Sequence, residues 1–272
     1  MSWRDSVGQT APAATIADVQ QYVASGPAAM ESPIDAFYRT SQDVVKVGTP
    51  AFLTANPAMG PLLLVGLVSL TENYFRDLFS KLIRLCPVAR AKCADQSIQL
   101  GSVIWHGGLD AERGAFEHIS FADARRIIAT ADKFLDYKLK ASSILTEFDK
   151  VCELRHGIVH SSAVLAGKNA IRLQIASAAG TLRIVVPFAQ LQEAASVCTS
   201  LVVSINRELF VEMSRRWAKE WPKMPSWDPA NSHSLFKSVW TIFHSGVDET
   251  NGAIPSPMTL MRCKHRVSAD PF

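Results

Sequence analysis

Apolar residues along this chain recur mostly three and four positions apart, the spacing that puts them on one side of a helix. The clearest stripe runs over 188–217, through Leu191, Ala195, Cys198, Val202, Ile205, Leu209 and Met213. A second helix is predicted over 61–85, apolar along most of its length and stopped ahead of Pro87. A third, over 143–161, carries Leu145, Phe148, Val151 and Cys152 at helical spacing. Shorter helices are expected at 16–25, stopped by Gly26, and at 33–47, where Ser32 caps, Pro33 opens the first turn and Gly48 follows the end. Another is expected at 120–138, opened by Ser120 and Asp123 as a capping box, and one more at 234–244. Residues 49–60 read as loop. Residues 86–119 have no single period and include a Gly-rich loop over 105–114.

One stretch has a different period. Ile171, Leu173 and Ile175 alternate with polar or small residues, and so do Leu182, Ile184 and Val186, with Ser177 to Gly180 between them. A period of two predicts a small β-hairpin over about 170–187, appended to helices. The pattern as a whole predicts a mainly α fold.

Composition narrows the class. Hydrophobic residues make up 48% of the 272 and charged residues 19%, enough for a core and too little charge for a disordered chain. The net charge of +3 tolerates nucleic acid without demanding it. Five cysteines form no C-x-x-C pair, so reduced thiols in a cytoplasmic protein are expected rather than a cysteine zinc site. Residues 1–14 are polar and rich in Ala and Pro, unlike a secretory signal. Residues 51–71 carry no charge, but Asn56, Pro57 and Pro61 interrupt them. A span needs about 20 apolar residues, so a buried helix is expected here and no membrane.

Chemistry concentrates near the end of the third helix. Glu153, Arg155, His156 and His160 fall within less than three turns. Arginine offers a planar fork of donors to anionic oxygens, and histidine takes and gives a proton near neutral pH. On a regular helix His156 and His160 share a face, while Arg155 lies about 100° round from His156. The same Arg-x4-His spacing occurs from Arg113 to His118, among Gly107, Gly108 and Gly114, with no apolar stripe leading into it. That copy reads as loop.

The string from Arg155 to His160 resembles the R-polar-x3-H signature of HEPN domains, all-α domains many of which are metal-independent ribonucleases of toxin and anti-phage systems. The polar residue after Arg155, the aliphatic pair Ile158-Val159 and the acidic Glu153 all fit. A long apolar helix before the motif helix and another after it also resemble the family layout. The resemblance covers about 60–220 and leaves 1–59 and 221–272 as extensions. It implies a HEPN-like helical bundle with the hairpin inserted. It also implies a metal-independent endoribonuclease, a toxin or defence effector that cleaves RNA by attack of the 2′-hydroxyl. His160 would handle the proton, Arg155 the phosphate charge, and His156 would orient the phosphate or help in proton transfer. Glu153 would pin Arg155 or His156. No cofactor is called for. A homodimer would face two motif helices across one cleft, and an antitoxin or regulatory partner protein would control it. Some relatives carry a tyrosine two residues after the histidine as a modification acceptor; Ser162 stands there, so that control is not expected.

Other readings stay open on the residues alone. The two histidines could simply cap the helix end. Glu153, His156 and His160, at i, i+3 and i+7, could share a metal, although no second helix supplies a matching pair. Glu72, one of few charges in the second helix, is either a buried partner for Arg155 or the start of an exposed end. The chain could also be a HEPN-like nucleotide-binding or assembly module without catalysis, which the modest positive charge suits.

Overall fold

A Ser or Thr followed by Pro starts two helices early in the chain. Ser32 accepts from Asp35 N at 3.3 Å and Pro33 opens α1 (Pro33–Val47). Thr49 accepts from Phe52 N at 3.2 Å and Pro50 opens α2 (Pro50–Ala55). In both, the cap satisfies a donor that the helix cannot, and proline has no donor to lose. The computed structural model describes residues 14–24, 31–106, 111–176 and 180–272, and every regular element in them is a helix. After α2 come α3 (Met59–Leu85), α4 (Pro87–Cys93), α5 (Leu100–His106), α6 (Ala111–Gly114) and α7 (Ala124–Leu135). Then follow α8 (Ser142–Ser161), α9 (Gly167–Arg172), α10 (Phe188–Arg215), α11 (Ser232–Phe243), α12 (Gly246–Thr250) and α13 (Leu260–Ala269).

Contacts divide the chain into residues 1–30 and 31–272. In the first unit the helix expected at 16–25 is a single turn, Val19–Tyr22, capped by Asp18 and burying no residue. Without a buried face, so short a segment has little to offset the cost of helix nucleation. Its expected stop at Gly26 lies outside the described residues.

In the second unit α3, α8 and α10 pack on one another. Leu67, Leu78 and Leu82 of α3, Phe148 of α8, and Cys198, Leu201, Ile205 and Leu209 of α10 have no solvent exposure. Each large apolar side chain so buried stabilises by roughly 1.5–3 kcal/mol. The seam between these helices therefore outweighs any single polar contact below. Phe37 of α1 and Phe236 and Val239 of α11 join the same core. The segment Phe188–Lys223 is long and apolar enough to cross a membrane by length and composition, but α10 places its main stripe in this core. Residues 51–71 are not one apolar rod, because α2 ends at Ala55 and α3 begins at Met59.

Several expectations are corrected. Residues 49–60 are not all loop, since α2 occupies their centre. Ser120 does not cap the following helix; Asp123 does, accepting from Arg125 N, and the helix ends at Leu135 rather than 138. The β-hairpin is not formed among the described residues. Its first arm is the short helix α9, with Ile171 79% exposed and Ile175 also exposed. Its second arm is extended but pairs elsewhere. Leu165 N donates to Leu182 O at 2.9 Å and Ile184 N to Ala163 O at 2.7 Å, around one antiparallel bridge, Val164 to Arg183. The expected turn at 177–179 lies outside the described residues. The alternation in the second arm has a physical basis nonetheless: Ile184 and Val186 are buried and Val185 is exposed.

That extended segment fixes the motif helix. Gly157 lets it cross α8 closely, since a Cβ there would stand 2.6 Å from Ile184 Cδ1. Gly60 does the same at the start of α3, where a Cβ would stand 1.9 Å from the Val186 carbonyl oxygen. Ser162 and Ala163 then take the left-handed conformation, φ 51° and 63°, and end α8.

Candidate functional site: the end of helix α8

The C-terminal half of α8 presents two different faces. His156 and His160 are exposed, and their ring centroids stand 4.5 Å apart. The helix brings them together as the four-residue spacing requires. Arg155 turns toward α3 instead, and 23% of its side chain reaches solvent.

Glu72 is the partner on α3, so of the two readings open for it the buried one is realised, at 5% exposure. Its Oε1 accepts from Ser120 Oγ and from Phe121 N, each at 2.9 Å, and from Arg76 Nη2 at 3.3 Å. Its Oε2 stands 4.0 Å from Arg155 Nη2. Burial of a carboxylate is costly unless it is paired and hydrogen-bonded, and these contacts meet that cost. Arg155 contributes only charge to this arrangement. Its guanidinium donates no hydrogen bond within the described residues, and its Nε is buried without a partner. An arginine carries five N–H donors, so this one is held in place with its donors unspent.

Glu153 does not pin Arg155 or His156. Its carboxylate accepts from Asn169 Nδ2 at 2.9 Å and from Arg172 Nη1 at 2.5 Å, and Asn169 also reaches the Glu153 carbonyl. Both partners lie on α9, and Arg172 falls in the segment expected to be a strand; as a helix it turns them back onto α8. Among the described residues no group of three His, Cys, Asp or Glu side chains could hold a metal ion. The engagement of Glu153 with α9 removes it from the histidine pair.

Beside His156, between α7, α8 and α9, lies a cleft of about 470 Å³. Asp149, Glu153, His156, Lys168 and Arg172 line it, whereas Arg155 and His160 do not. Its carboxylates are already engaged. Asp149 accepts from Ala124 N at 2.8 Å, and burial still pushes its carboxyl above the ordinary range. Burial also acts to raise Asp123, but the hydrogen bonds and charge of Arg125 outweigh it and hold that carboxyl low. The thiol of Cys152 is pushed well up by burial, which makes it a packing residue rather than a nucleophile.

The second Arg-x4-His copy is arranged differently. Arg113, on the single turn α6, forms an ion pair with Asp77 through Nη1, and its Nη2 donates to Asn73 Oδ1 at 2.8 Å. His118 lies in the turns beyond it and is exposed. The pattern did not mark Arg76, and it marked Ser120 only as a helix cap. Both act on Glu72, and only the packing of 119–121 against α3 reveals them.

No protein-family model, no curated protein and no solved structure matches this chain.

Proposed function

We propose that this chain is a metal-independent endoribonuclease of HEPN type with a HEPN-like helical bundle, acting on RNA as a toxin or anti-phage defence effector. The observation that carries the reading is the end of α8. An arginine with unspent donors is followed on the same helix by two exposed histidines, one and five residues on, whose rings stand 4.5 Å apart. In the proposed step one histidine takes the proton of a 2′-hydroxyl, whose oxygen attacks the adjacent phosphorus. The bond from phosphorus to the 5′-oxygen breaks, and the other histidine supplies that oxygen with a proton. A 2′,3′-cyclic phosphate and a 5′-hydroxyl result, and atoms balance without a metal. Arg155 offsets the charge gathering on the phosphorane, the kind of interaction that contributes most when donors are already in place.

Because Arg155 and the histidines diverge around α8, one copy surrounds a phosphate on one side only. A two-fold dimer with its axis near His160 supplies the other side, and two-fold dimers are the commonest assembly. The test is incubation of purified protein with total RNA and tRNA, with and without EDTA, beside Arg155→Ala, and light scattering on the same samples. Cleavage by the wild type alone, from a dimeric particle, is expected. A folded wild-type protein that leaves every RNA intact defeats the reading.

The cleft beside His156 favours a second reading, a nucleotide-binding module without catalysis. It is the size of a small-molecule site, and Lys168 on its wall has no ion pair among the described residues. Saturable nucleotide binding with no RNA cleavage, lost in Lys168→Glu but not in Arg155→Ala, identifies that case.

A further inference from the structure

We propose that Arg76 and Arg155 form a clamp for one phosphate group, with Arg76 as the half of it that no sequence pattern marks. The proposal rests on the reading of Arg155 as a phosphate contact and names a second residue for that contact.

The charges around Glu72 do not balance. One carboxylate, Glu72, faces two guanidiniums: Arg76 at 3.3 Å from Oε1 and Arg155 at 4.0 Å from Oε2. The group carries one positive charge in excess. Glu72 cannot swing to neutralise either arginine better, because Ser120 Oγ and Phe121 N hold the same oxygen that Arg76 uses.

Arg76 spends Nη2 on Glu72 and on the Ile119 carbonyl at 3.1 Å, while its Nε is buried without a partner. Among the described residues Arg155 spends no donor in a hydrogen bond, and its Nε is likewise without a partner. Both side chains keep 23% of their surface in solvent, although both Nε atoms are buried. Unspent donors of two cations, set around one fixed anion, call for an acceptor with several oxygens and negative charge. A phosphate fits that need, and two arginine forks suit its oxygens better than two ammonium groups would.

A neighbouring arginine sets the contrast. Arg113 binds the same helix at Asn73 and Asp77, the residues that follow Glu72 and Arg76, and those contacts occupy both its terminal nitrogens. It differs from Arg155 in spending its terminal donors on a carboxylate and an amide. It therefore serves as the control for loss of a cation from this side of α3.

The experiment measures binding of a short RNA with 2′-O-methyl groups, which cannot be cleaved, by fluorescence anisotropy over a series of KCl concentrations. Inorganic phosphate in a thermal-shift assay at constant ionic strength is the second probe. Arg76→Gln and Arg155→Gln are each expected to weaken RNA binding about tenfold or more and to flatten the salt dependence by about 0.7 in log–log slope, the value of one lost phosphate contact on a single strand. The double variant is expected to fall short of the product of the two losses, because both residues hold one group. Phosphate is expected to stabilise the wild type and neither variant. Arg113→Gln is expected to keep RNA affinity within about twofold, since no phosphate contact is lost.

If Arg76→Gln fails to fold, Arg76→Lys decides. It keeps the charge and loses the fork, and wild-type affinity in that folded variant overturns the clamp. Wild-type binding and salt slope in Arg76→Gln, with both lost in Arg155→Gln, also overturns it and leaves the ribonuclease reading standing. RNA and phosphate binding that depend on both arginines, without cleavage of ordinary RNA, supports the clamp and defeats the ribonuclease reading. A wild-type protein that binds neither probe overturns the clamp.

Discussion

Arg113 to His118 and Arg155 to His160 share one spacing and differ in everything that gives it chemical meaning. The first copy begins on a single helical turn and runs into irregular turns, so its arginine and histidine have no fixed relation through a helix. Its arginine is consumed by Asp77 and Asn73. The second copy lies on a twenty-residue helix anchored in the core by Phe148 and Val151, which fixes Arg155, His156 and His160 relative to one another. Its arginine faces a carboxylate that is already shared, and it retains its donors. The spacing of two residue types therefore says little until the backbone between them is rigid and the neighbouring charges are counted.

The largest effect expected from this contrast is on RNA cleavage. Arg155→Ala and His160→Ala should each lower the single-turnover rate by about 100-fold or more, the scale of losing a proton carrier or a transition-state charge partner. Arg113→Ala and His118→Ala should keep the rate within about threefold, since neither contributes such a group. Equal losses in the two copies would break the distinction.

Stability should follow the opposite order. Arg113→Gln leaves the largely buried Asp77 without its arginine partner and should cost about 1–2 kcal/mol in urea unfolding, after allowing for the solvent exposure of Arg113. Arg155→Gln removes one 4.0 Å contact and should cost less than about 1 kcal/mol. A larger cost at Arg155 would mean that its contact with Glu72 is structural and its donors are not held for a ligand.

The cost at Arg113 should also depend on pH. Burial raises the Asp77 carboxyl above its ordinary value, while Arg113 pulls it down. Removing Arg113 raises it further. A carboxyl raised in the folded state contributes stability below its unfolded value, and that contribution is lost as pH rises through the folded value. The difference between wild type and Arg113→Gln should therefore be small below about pH 4, where Asp77 is protonated in both, and grow above it. A difference that stays constant from acid to neutral pH would show that Asp77 does not carry the effect. The smallest change is expected from chelation: EDTA should leave the cleavage rate within about twofold, because Glu153 is held by α9 and does not complete a ligand set with the histidines.

The motif helix and the two long helices around it were legible because each has a sustained stripe. The end at Leu85 before Pro87, the start at Phe188 and the end at Ser161 were all readable from the residues. Pattern reading failed where local signals compete with packing. Ile171, Leu173 and Ile175 alternate, but alternation marks a strand only if one side is covered, and Ile171 is almost fully exposed on α9. Ser120 has the residue type and spacing of a cap, but Glu72 takes its hydroxyl. Gly157 carries no local signal of its role, which is to let Ile184 approach α8.

The sequence by itself determined a mainly helical chain, the positions of its three longest helices, and the neighbourhood of Arg155, His156 and His160 on one of them. These follow from spacing along a single helix, which backbone geometry makes nearly independent of the rest of the molecule. Tertiary structure decided which charges meet: Glu72 with Arg155 and Arg76, Glu153 with Asn169 and Arg172, and Arg113 with Asp77. Pairing depends on which surfaces the long helices bury against each other. Burial makes an unpaired charge costly and a partly satisfied one available, and no local pattern encodes that.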